Sequence, residues 1–132
     1  MADYLTDKYK LMIQATELRV GNLCFRNGKL RTIDVNDISN IWDENRLNPY
    51  GHRLIEEISS LYEPIPITTE WLLKWGFKSC NMNYRFILGK FTYNVGSGWF
   101  FGNKKIRKQI YVHQFQNTYF TLTGEELTLS VT

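Results

Sequence analysis

The sequence predicts an α+β fold in which a small, strongly bent antiparallel sheet packs against two short helices. Three observations support this prediction: an Asn27-Gly28 pair between two apolar runs, a capped apolar run that begins at Thr68, and apolar residues three and four apart between 112 and 122. The pair favours a β-hairpin, and the other two patterns are typical of helices. An SH3-like arrangement is one alternative for the sheet. The length of 132 residues fits a single domain over 1–132.

The N-terminal part of the chain contains one ambiguous segment and one clear one. Leu5 and Tyr9 lie at helical spacing, so residues 1–16 are interpreted as a short N-terminal helix or an arm. The Asn-Gly pair at 27 and 28 is the stronger signal, because both residue types tolerate the positive φ of a type I′ turn. We therefore expect a hairpin with this pair at its tip.

The segment from 36 to 68 is read mainly from its loop and proline signals. Its first part fits a helical turn or an irregular strand, and residues 45–51 are a loop by composition. Residues 54–61 fit a helix or a strand that ends at Tyr62. Residues 63–68 read EPIPIT, where alternate prolines force an extended chain and exclude a central strand.

A two-turn helix is predicted over 68–75. Thr68 is a suitable N-cap, and Glu70 places a negative charge in the first turn, where the helix dipole favours it. Gly76 stands where a left-handed C-cap is expected. The apolar stripe of this helix is Trp71, Leu72 and Trp75.

Strand-like patterns dominate residues 84–112. Residues 84–93 and 98–101 are predicted strands, with a turn at Gly102-Asn103. A further strand is predicted over 106–112. The side chains expected on its two faces are Ile106, Ile110 and Val112 on one side and Arg107, Gln109 and Tyr111 on the other.

The C-terminal segment predicts a second helix over 113–123 that ends at Gly124. Residues 127–131 alternate and are interpreted as a final edge strand. If both helices pack on the sheet, their large apolar side chains should form its core. The predicted core residues are Trp71, Trp75, Phe115 and Tyr119.

The charge of the chain is unevenly distributed. Residues 71–123 carry eight Lys or Arg and no Asp or Glu, which gives a net charge of +8. The rest of the chain carries eight basic and thirteen acidic side chains, a net charge of −5. The acid-free segment also holds fourteen of the twenty aromatic residues. Charge blocks of this kind act on binding partners rather than on the fold.

The glycine-rich segment 96–108, GSGWFFGNKKIRK, is the main candidate for a ligand site. It lacks the spacing of a Walker loop, and Phe101 stands where the dinucleotide fingerprint requires its third glycine. Two interpretations stay open. In one, the segment is a plain hairpin whose lysines protect a strand edge. In the other, cations contact phosphate and an aromatic ring stacks on a base. The residues predicted for the second are Lys104, Lys105, Arg107, Lys108 and Trp99.

A second candidate group lies at the start of the C-terminal helix. Tyr111, His113 and Gln116 offer ring, imidazole and amide groups that could contact a ligand, and His113 and Gln116 share a helical face. The alternative is that His113 has a structural partner. The sequence contains no nucleophile that can be paired with it, so we predict no catalytic residues.

Neither a metal site nor a cofactor is expected. Cys24, Cys80, His52 and His113 stand singly, and no two of them have zinc-ligand spacing. A Cys24–Cys80 disulfide is the less favoured alternative to two thiols. The N-terminus lacks the basic and apolar regions of a signal peptide, and no window approaches the roughly 20 apolar residues of a membrane span. We therefore expect a soluble protein of a reducing compartment, with no membrane partner.

Three blocks of the sequence together resemble a family of small uncharacterised proteins encoded by phages and prophages of gut anaerobic bacteria. The blocks are ELRVGN (17–22), EPIPITTEWLLKWGF (63–77) and YVHQFQNTYFTLTGEEL (111–127). The resemblance implies a phage-encoded accessory protein in the host-cell cytoplasm. It supplies no catalytic residues.

The leading functional hypothesis is non-enzymatic binding of a phosphate-bearing ligand, most simply a nucleotide. In a phage setting the ligand could be a host immune signal that the protein sequesters as a counter-defence. One alternative is binding of nucleic acid. Another is a minor virion or assembly protein, or a protein that binds a host defence protein through an aromatic interface. We expect a homo-oligomer, because a chain of this size most easily encloses a ligand between subunits. An enzyme is the least favoured class.

Overall fold

The computed structural model describes residues 9–11, 13–47, 52–54 and 62–129. The chain divides into two compact units, Met1–Ile65 and Pro66–Thr132. The α+β class is confirmed, since the described residues form three α-helices and open antiparallel sheets of two, three and five strands. No helix within these ranges has the length and apolar content that crossing a membrane requires. The division into two units does not test whether residues 1–132 form the single domain that the sequence predicts, so the single domain stays a prediction.

The N-terminal unit begins with a strand pair. Strand β1 (Tyr9–Leu11) pairs antiparallel with β4 (His52–Leu54), and a short 3-10 turn follows at Ala15–Glu17. The predicted N-terminal helix is therefore not found over 9–11. Tyr9, Lys10 and Leu11 alternate apolar and polar, which is the period of a strand. Residues 1–8 and 12 lie outside the described residues.

A three-stranded sheet in the order β3-β2-β5 carries the predicted hairpin. Strands β2 (Leu23–Arg26) and β3 (Lys29–Thr32) meet at Asn27 and Gly28, whose φ angles are 52° and 78°. The type I′ prediction is confirmed, because both turn residues have positive φ. Strand β5 (Tyr62–Glu63) is an edge strand, as expected for a chain that continues into proline.

Helix α1 (Val35–Leu47) occupies the first part of the segment that sequence left ambiguous. It starts with a reciprocal cap: the Asp37 amide donates to Asp34 Oδ1 and the Asp34 amide donates to Asp37 Oδ2, both at 2.9 Å. Near its end, Asn45 donates to the Ile13 carbonyl at 3.0 Å and accepts from the Ala15 amide at 2.8 Å. The helix is thereby tied to the 3-10 turn. The ambiguous residues 55–61 lie outside the described residues.

A buried carboxylate organises the N-terminal unit. The Asp37 side chain is 2% exposed and accepts hydrogen bonds from Arg31 Nε, 2.9 Å from both oxygens, and from the Tyr62 hydroxyl at 2.7 Å. Arg26 Nη1 lies 3.8 Å away. Burial alone would raise the Asp37 pKa, but the hydrogen bonds from Arg31, the Asp34 amide and Tyr62 lower that pKa to about 2. We call these four side chains, Asp37, Arg31, Arg26 and Tyr62, the Asp37 cluster.

The two cysteines are free thiols in different environments. Cys24 is fully buried in the N-terminal unit, whereas Cys80 is half-buried. Burial, with the nearby charge of Asp37, raises the pKa of the Cys24 thiol to about 11. Cys24 is therefore protonated and shielded from thiol reagents as long as this unit is folded.

The C-terminal unit begins with the predicted two-turn helix. Helix α2 (Thr69–Lys74) has Thr68 as its N-cap, whose hydroxyl accepts from the Trp71 amide at 3.4 Å. The chain leaves the helix through Gly76 at a φ of 96°, and the Phe77 amide donates to the Leu72 carbonyl at 3.0 Å. The predicted cap, helix and left-handed glycine are confirmed.

Five antiparallel strands follow in the spatial order β10-β9-β8-β7-β6. They are connected by short hairpins, including the predicted turn at Gly102-Asn103. The stretch predicted as strand over 84–93 is two strands, because the chain turns at Gly89-Lys90. The strands are β6 (Lys78–Cys80), β7 (Arg85–Leu88), β8 (Phe91–Asn94), β9 (Gly98–Phe101) and β10 (Lys104–Lys105).

The prediction of a strand over 106–112 is wrong. Strand β10 ends at Lys105, and the chain then runs without regular structure to the next helix. The burial does not follow the two predicted faces, since Ile110 is 46% exposed although Val112 of the same predicted face is buried, and Gln109 of the other face is 6% exposed. The reason is that the buried Gln109 side chain has hydrogen-bond partners within the C-terminal unit. Its Nε2 donates to the Arg107 carbonyl at 2.7 Å, and its Oε1 accepts from the Thr118 hydroxyl at 2.9 Å.

Helix α3 (Val112–Thr123) confirms the second predicted helix. Gln114 Oε1 accepts from the Tyr111 amide at 3.0 Å at its start, and Gly124 ends it at a φ of 75°. The final strand predicted over 127–131 is not found in residues 127–129, which have no regular structure. Residues 130–132 lie outside the described residues.

The core of the C-terminal unit is built from aromatic rings around Phe115. This side chain is fully buried, and its ring centroid lies 5.0 Å from those of Trp75 and Trp99 and 5.2 Å from that of Phe91. Of the predicted core residues, Trp75 and Phe115 are buried, whereas the other two are half-buried; these are Trp71 and Tyr119. Much of the aromatic enrichment therefore builds the core rather than a contact surface.

Candidate ligand pocket in the C-terminal unit

A surface pocket of about 610 Å³ lies in the C-terminal unit, over one face of the five-stranded sheet. One wall is the start of α2, with Thr69 and Leu72. A second part of the lining is the end of β10 and the irregular segment after it, with Lys105, Lys108 and Gln109. The glycine-rich turn 95–98 contributes a third part. The pocket therefore brings part of the candidate segment 96–108 together with residues that are distant in sequence, such as Thr69.

The floor of the pocket is aromatic because of the strand register. Phe86 pairs with Tyr93, and Tyr93 pairs with Trp99, so the three side chains share one face of the sheet. The Phe86 and Tyr93 ring centroids are 6.3 Å apart, and those of Tyr93 and Trp99 are 5.0 Å apart. Phe86 and Trp99 are buried, and Tyr93 is half-buried. Of these rings, Tyr93 presents the most surface to a ligand.

The rim of the pocket is cationic and polar. Lys105 and Lys108 line it and are exposed. The stem of Lys105 lies against Gly98, with Cε 3.2 Å from the position that a Cβ would occupy there. Gly98 has a φ of 106°, so a side chain at this position would be both strained and in contact with Lys105. The glycine thus allows the ammonium group to lie beside the turn.

The lining contains polar groups of several kinds but no carboxylate, imidazole or thiol. Its polar groups are amines, hydroxyls and amides, and none of its residues is Asp, Glu, His or Cys. The amines can pair with an anion, and the floor can receive an apolar or aromatic group. Within the described ranges, no group of three or more His, Cys, Asp or Glu side chains could hold a metal ion.

The structure separates the cations that sequence grouped together. Lys105 and Lys108 line the pocket, whereas Lys104 is exposed and lies outside its lining. Arg107 lines a shallower groove of about 300 Å³ between its own segment and α3. Trp99 lies in the pocket floor but is 3% exposed, because it packs on Phe115. Its indole therefore has little surface left for stacking on a base.

The three candidates near the start of α3 do not line the pocket. His113 and Gln116 are 1% and 5% exposed. The Tyr111 and His113 rings are stacked, with centroids 5.9 Å apart and planes at 7°. These side chains take part in the packing of the C-terminal unit, and their ligand-binding role stays a prediction.

Sequence reasoning missed several residues of the pocket. Thr69, Tyr93 and Ser97 lie in its lining. Asn83 also lines it, from a tight loop whose residues 81, 82 and 83 have φ angles of 52°, 55° and 70°. Positive φ at three successive non-glycine residues is unusual, and the Asn-Met-Asn sequence was the signal that could have indicated it.

Comparisons of the chain with protein-family models, with curated proteins and with solved structures find no match. The resemblance to phage and prophage proteins stays a prediction.

Proposed function

We propose that this protein binds a phosphate-bearing small ligand, most simply a nucleotide, without catalysing a reaction. The observation that carries the proposal is the position of Lys105 and Lys108 on the rim of an acid-free pocket with an aromatic floor. The pocket volume of about 610 Å³ falls within the range of small-molecule sites, roughly 300–1,000 Å³.

The electrostatics of the pocket favour an anion. Residues 71–123 have a net charge of +8, so the two lysines have no carboxylate of this segment to compete for them. Hydrogen bonds between an ammonium group and phosphate are stronger than those between neutral groups. A protein that only sequesters its ligand needs no catalytic carboxylate, imidazole or thiol, and the lining contains no Asp, Glu, His or Cys.

The resemblance to phage proteins gives this proposal a setting. A phage-encoded protein in the host-cell cytoplasm could lower the concentration of a nucleotide immune signal by holding it in this pocket. The opposite charges of the two parts of the sequence would favour a homo-oligomer, with the acidic part of one copy facing the basic part of another.

Nucleic-acid binding is the second candidate, and one observation favours it. Four cations lie within five residues at 104–108 and all are exposed. A phosphate backbone could contact all four, including those outside the pocket, and its affinity would fall steeply with salt. The third candidate, a virion or host-protein interface, would use exposed apolar residues and predicts no response to nucleotides.

Substitution of single lysines will distinguish a pocket from a basic strip. We expect Lys105→Gln and Lys108→Gln each to weaken binding of a nucleoside phosphate by about tenfold, since both lysines are exposed and a hydrogen bond to a charged group then contributes about 1.5 kcal/mol, the low end of its range. Lys104→Gln removes the same charge from the adjacent position and should change affinity less than twofold. Ligands are first found with a thermal-shift panel of mononucleotides, dinucleotides and short DNA, and affinities are then measured by calorimetry.

Each alternative gives a different result in the same experiment. Equal losses in Lys104→Gln and Lys105→Gln, with binding of DNA that disappears as salt rises, would replace the nucleotide pocket by a nucleic-acid surface. If no phosphate compound produces a thermal shift, the result contradicts both the nucleotide pocket and the nucleic-acid surface and favours a protein interface.

A further inference from the structure

The aromatic floor of the pocket continues beyond its lining to Tyr84. The Val95 amide donates to the Tyr84 carbonyl at 2.9 Å, which extends the β7–β8 ladder by one residue pair. Tyr84 is two residues before Phe86, and Val95 is two residues after Tyr93, so all four side chains lie on the same face of the sheet. Phe86, Tyr93 and Val95 line the pocket. Tyr84 is therefore the next side chain on this face, beside the lining residues Asn83 and Val95.

Tyr84 differs from the floor rings in its exposure. Its residue surface is 65% exposed, whereas Phe86 is 2% exposed and Trp99 is 3% exposed. Tyr84 is thus an aromatic ring that the fold leaves on the surface beside a pocket. Two of its neighbours are also exposed apolar residues: Val95, its partner across the strand pair, is 47% exposed, and Met82 is 94% exposed.

The loop before Tyr84 is held in an uncommon conformation. Asn81, Met82 and Asn83 all have positive φ, which is unfavourable for a side chain such as that of methionine. The Tyr84 amide donates to the Asn81 carbonyl at 3.1 Å and closes this loop. The Ser79 hydroxyl contacts Asn83 Oδ1 across it. The loop fixes Tyr84 immediately before β7 and contains Asn83, which lines the pocket.

The distance between Tyr84 and Gly98 of the pocket lining suits one class of ligand. Gly98, against which Lys105 lies, is on β9, and Tyr84 immediately precedes β7. Two strand spacings separate them, or roughly 10 Å at about 4.8 Å each. A base, a sugar and one or two phosphates in an extended conformation cover a span of this order.

We propose that Tyr84 is the base-stacking residue of this site, so that a nucleoside phosphate binds with its base on Tyr84 and its phosphate at Lys105 and Lys108. This inference rests on the proposed function and adds to it the orientation of the ligand and the requirement for a base. An aromatic side chain stacks on every base, so Tyr84 supplies affinity with little preference among them. Asn83, the preceding residue, lines the pocket, and its side-chain NH2 group can donate to a base edge.

The test compares ligands with and without a base. The probes are AMP, GMP, CMP and UMP, together with ribose 5-phosphate, which keeps the sugar and phosphate but lacks the base. With the wild-type protein, we expect the nucleotides to bind at least tenfold more tightly than ribose 5-phosphate. Tyr84→Ala should lose about tenfold in affinity for the nucleotides, in line with measured base–aromatic stacking, and leave ribose 5-phosphate unchanged. Tyr84→Phe should retain nucleotide binding, because it keeps the ring.

Met82→Ala is the matched control in the same loop, because it removes a more exposed apolar side chain without removing a ring. It should bind nucleotides as the wild type does. If the nucleotides bind in a Lys105-dependent manner but Tyr84→Ala has no effect, the inference fails and the proposed function stands. If ribose 5-phosphate binds as tightly as the nucleotides, the inference fails in the same way. If none of the probes binds, both fail.

Discussion

Replacing Asp37 by alanine is expected to destabilise the N-terminal unit by about 3 kcal/mol or more, because hydrogen bonds to a charged group contribute about 1.5–3 kcal/mol each. The substitution leaves Arg31 without its bidentate partner and the Tyr62 hydroxyl without its acceptor. It also breaks the reciprocal cap between Asp34 and Asp37 at the start of α1. Small units have total stabilities of a similar size, so this unit should be largely unfolded near 37 °C.

Labelling of Cys24 reports this unfolding directly. In the wild type at pH 8, one thiol, the half-buried Cys80, should react quickly with a thiol reagent, and Cys24 should react only on unfolding. In Asp37→Ala both thiols should react quickly. The control is Asp43→Ala, which removes an exposed carboxylate from the same helix and should change stability by less than about 0.5 kcal/mol. If Asp37→Ala has the melting temperature of the wild type and Cys24 stays unreactive, the Asp37 cluster does not stabilise this unit.

The same carboxylate predicts how this unit responds to acid. Because the folded state lowers the Asp37 pKa from 3.8 to about 2, the ionised side chain stabilises the unit above pH 4. That contribution, about 2 kcal/mol, is lost as the pH falls through about 2. Asp37→Asn should lack this acid-dependent loss between pH 4 and pH 2, and denaturant melts across this range would measure the difference.

Replacing Phe115 by alanine is the second large effect, with an expected loss of about 3–5 kcal/mol in the C-terminal unit. Its fully buried ring is within 5.6 Å, centroid to centroid, of Trp75, Phe77, Phe91 and Trp99, and these rings cannot all close the cavity. Because Trp99 is also part of the pocket floor, the substitution should weaken ligand binding as well.

Phe120→Ala provides the comparison for this loss. Phe120 lies on the same helix and is 38% exposed, so its truncation should cost roughly 1 kcal/mol or less. The measurement is thermal unfolding followed by tryptophan fluorescence, since Trp75 and Trp99 both contact Phe115. Equal melting temperatures for the two variants would contradict a core centred on Phe115.

The parts of the fold that depend on local chemistry were predictable. Asn27-Gly28 specifies its turn through φ angles that few other pairs adopt, and the structure has both residues there at positive φ. Helix α2 carries its cap and its stop signal within nine residues. In contrast, the conformation around Gln109 depends on Thr118, a partner nine residues later on a helix, and alternation along the chain could not indicate that contact.

The candidate site was only partly accessible from sequence for a related reason. Clustering of basic residues identified Lys105 and Lys108 but could not separate them from Lys104, because the pocket lining depends on how the chain bends after β10. Trp99 was predicted as a ligand contact from its position beside the lysines, yet the register of β8 and β9 places it under Phe115. Tyr84 gave no sequence signal, since its role is inferred from a strand pair and from its exposure.

The measurement that tests the central claim most directly is a nuclear magnetic resonance titration of the four tryptophan indole N–H signals with the four mononucleotides. Trp99 lines the pocket, whereas Trp42 is on α1 of the N-terminal unit. If the pocket is the binding site, the Trp99 indole and the Gly96 and Gly98 amides should move in a saturable way while Trp42 stays fixed. Signals from Trp99, Gly96 and Gly98 that do not move at saturating nucleotide would show that the pocket is not the site.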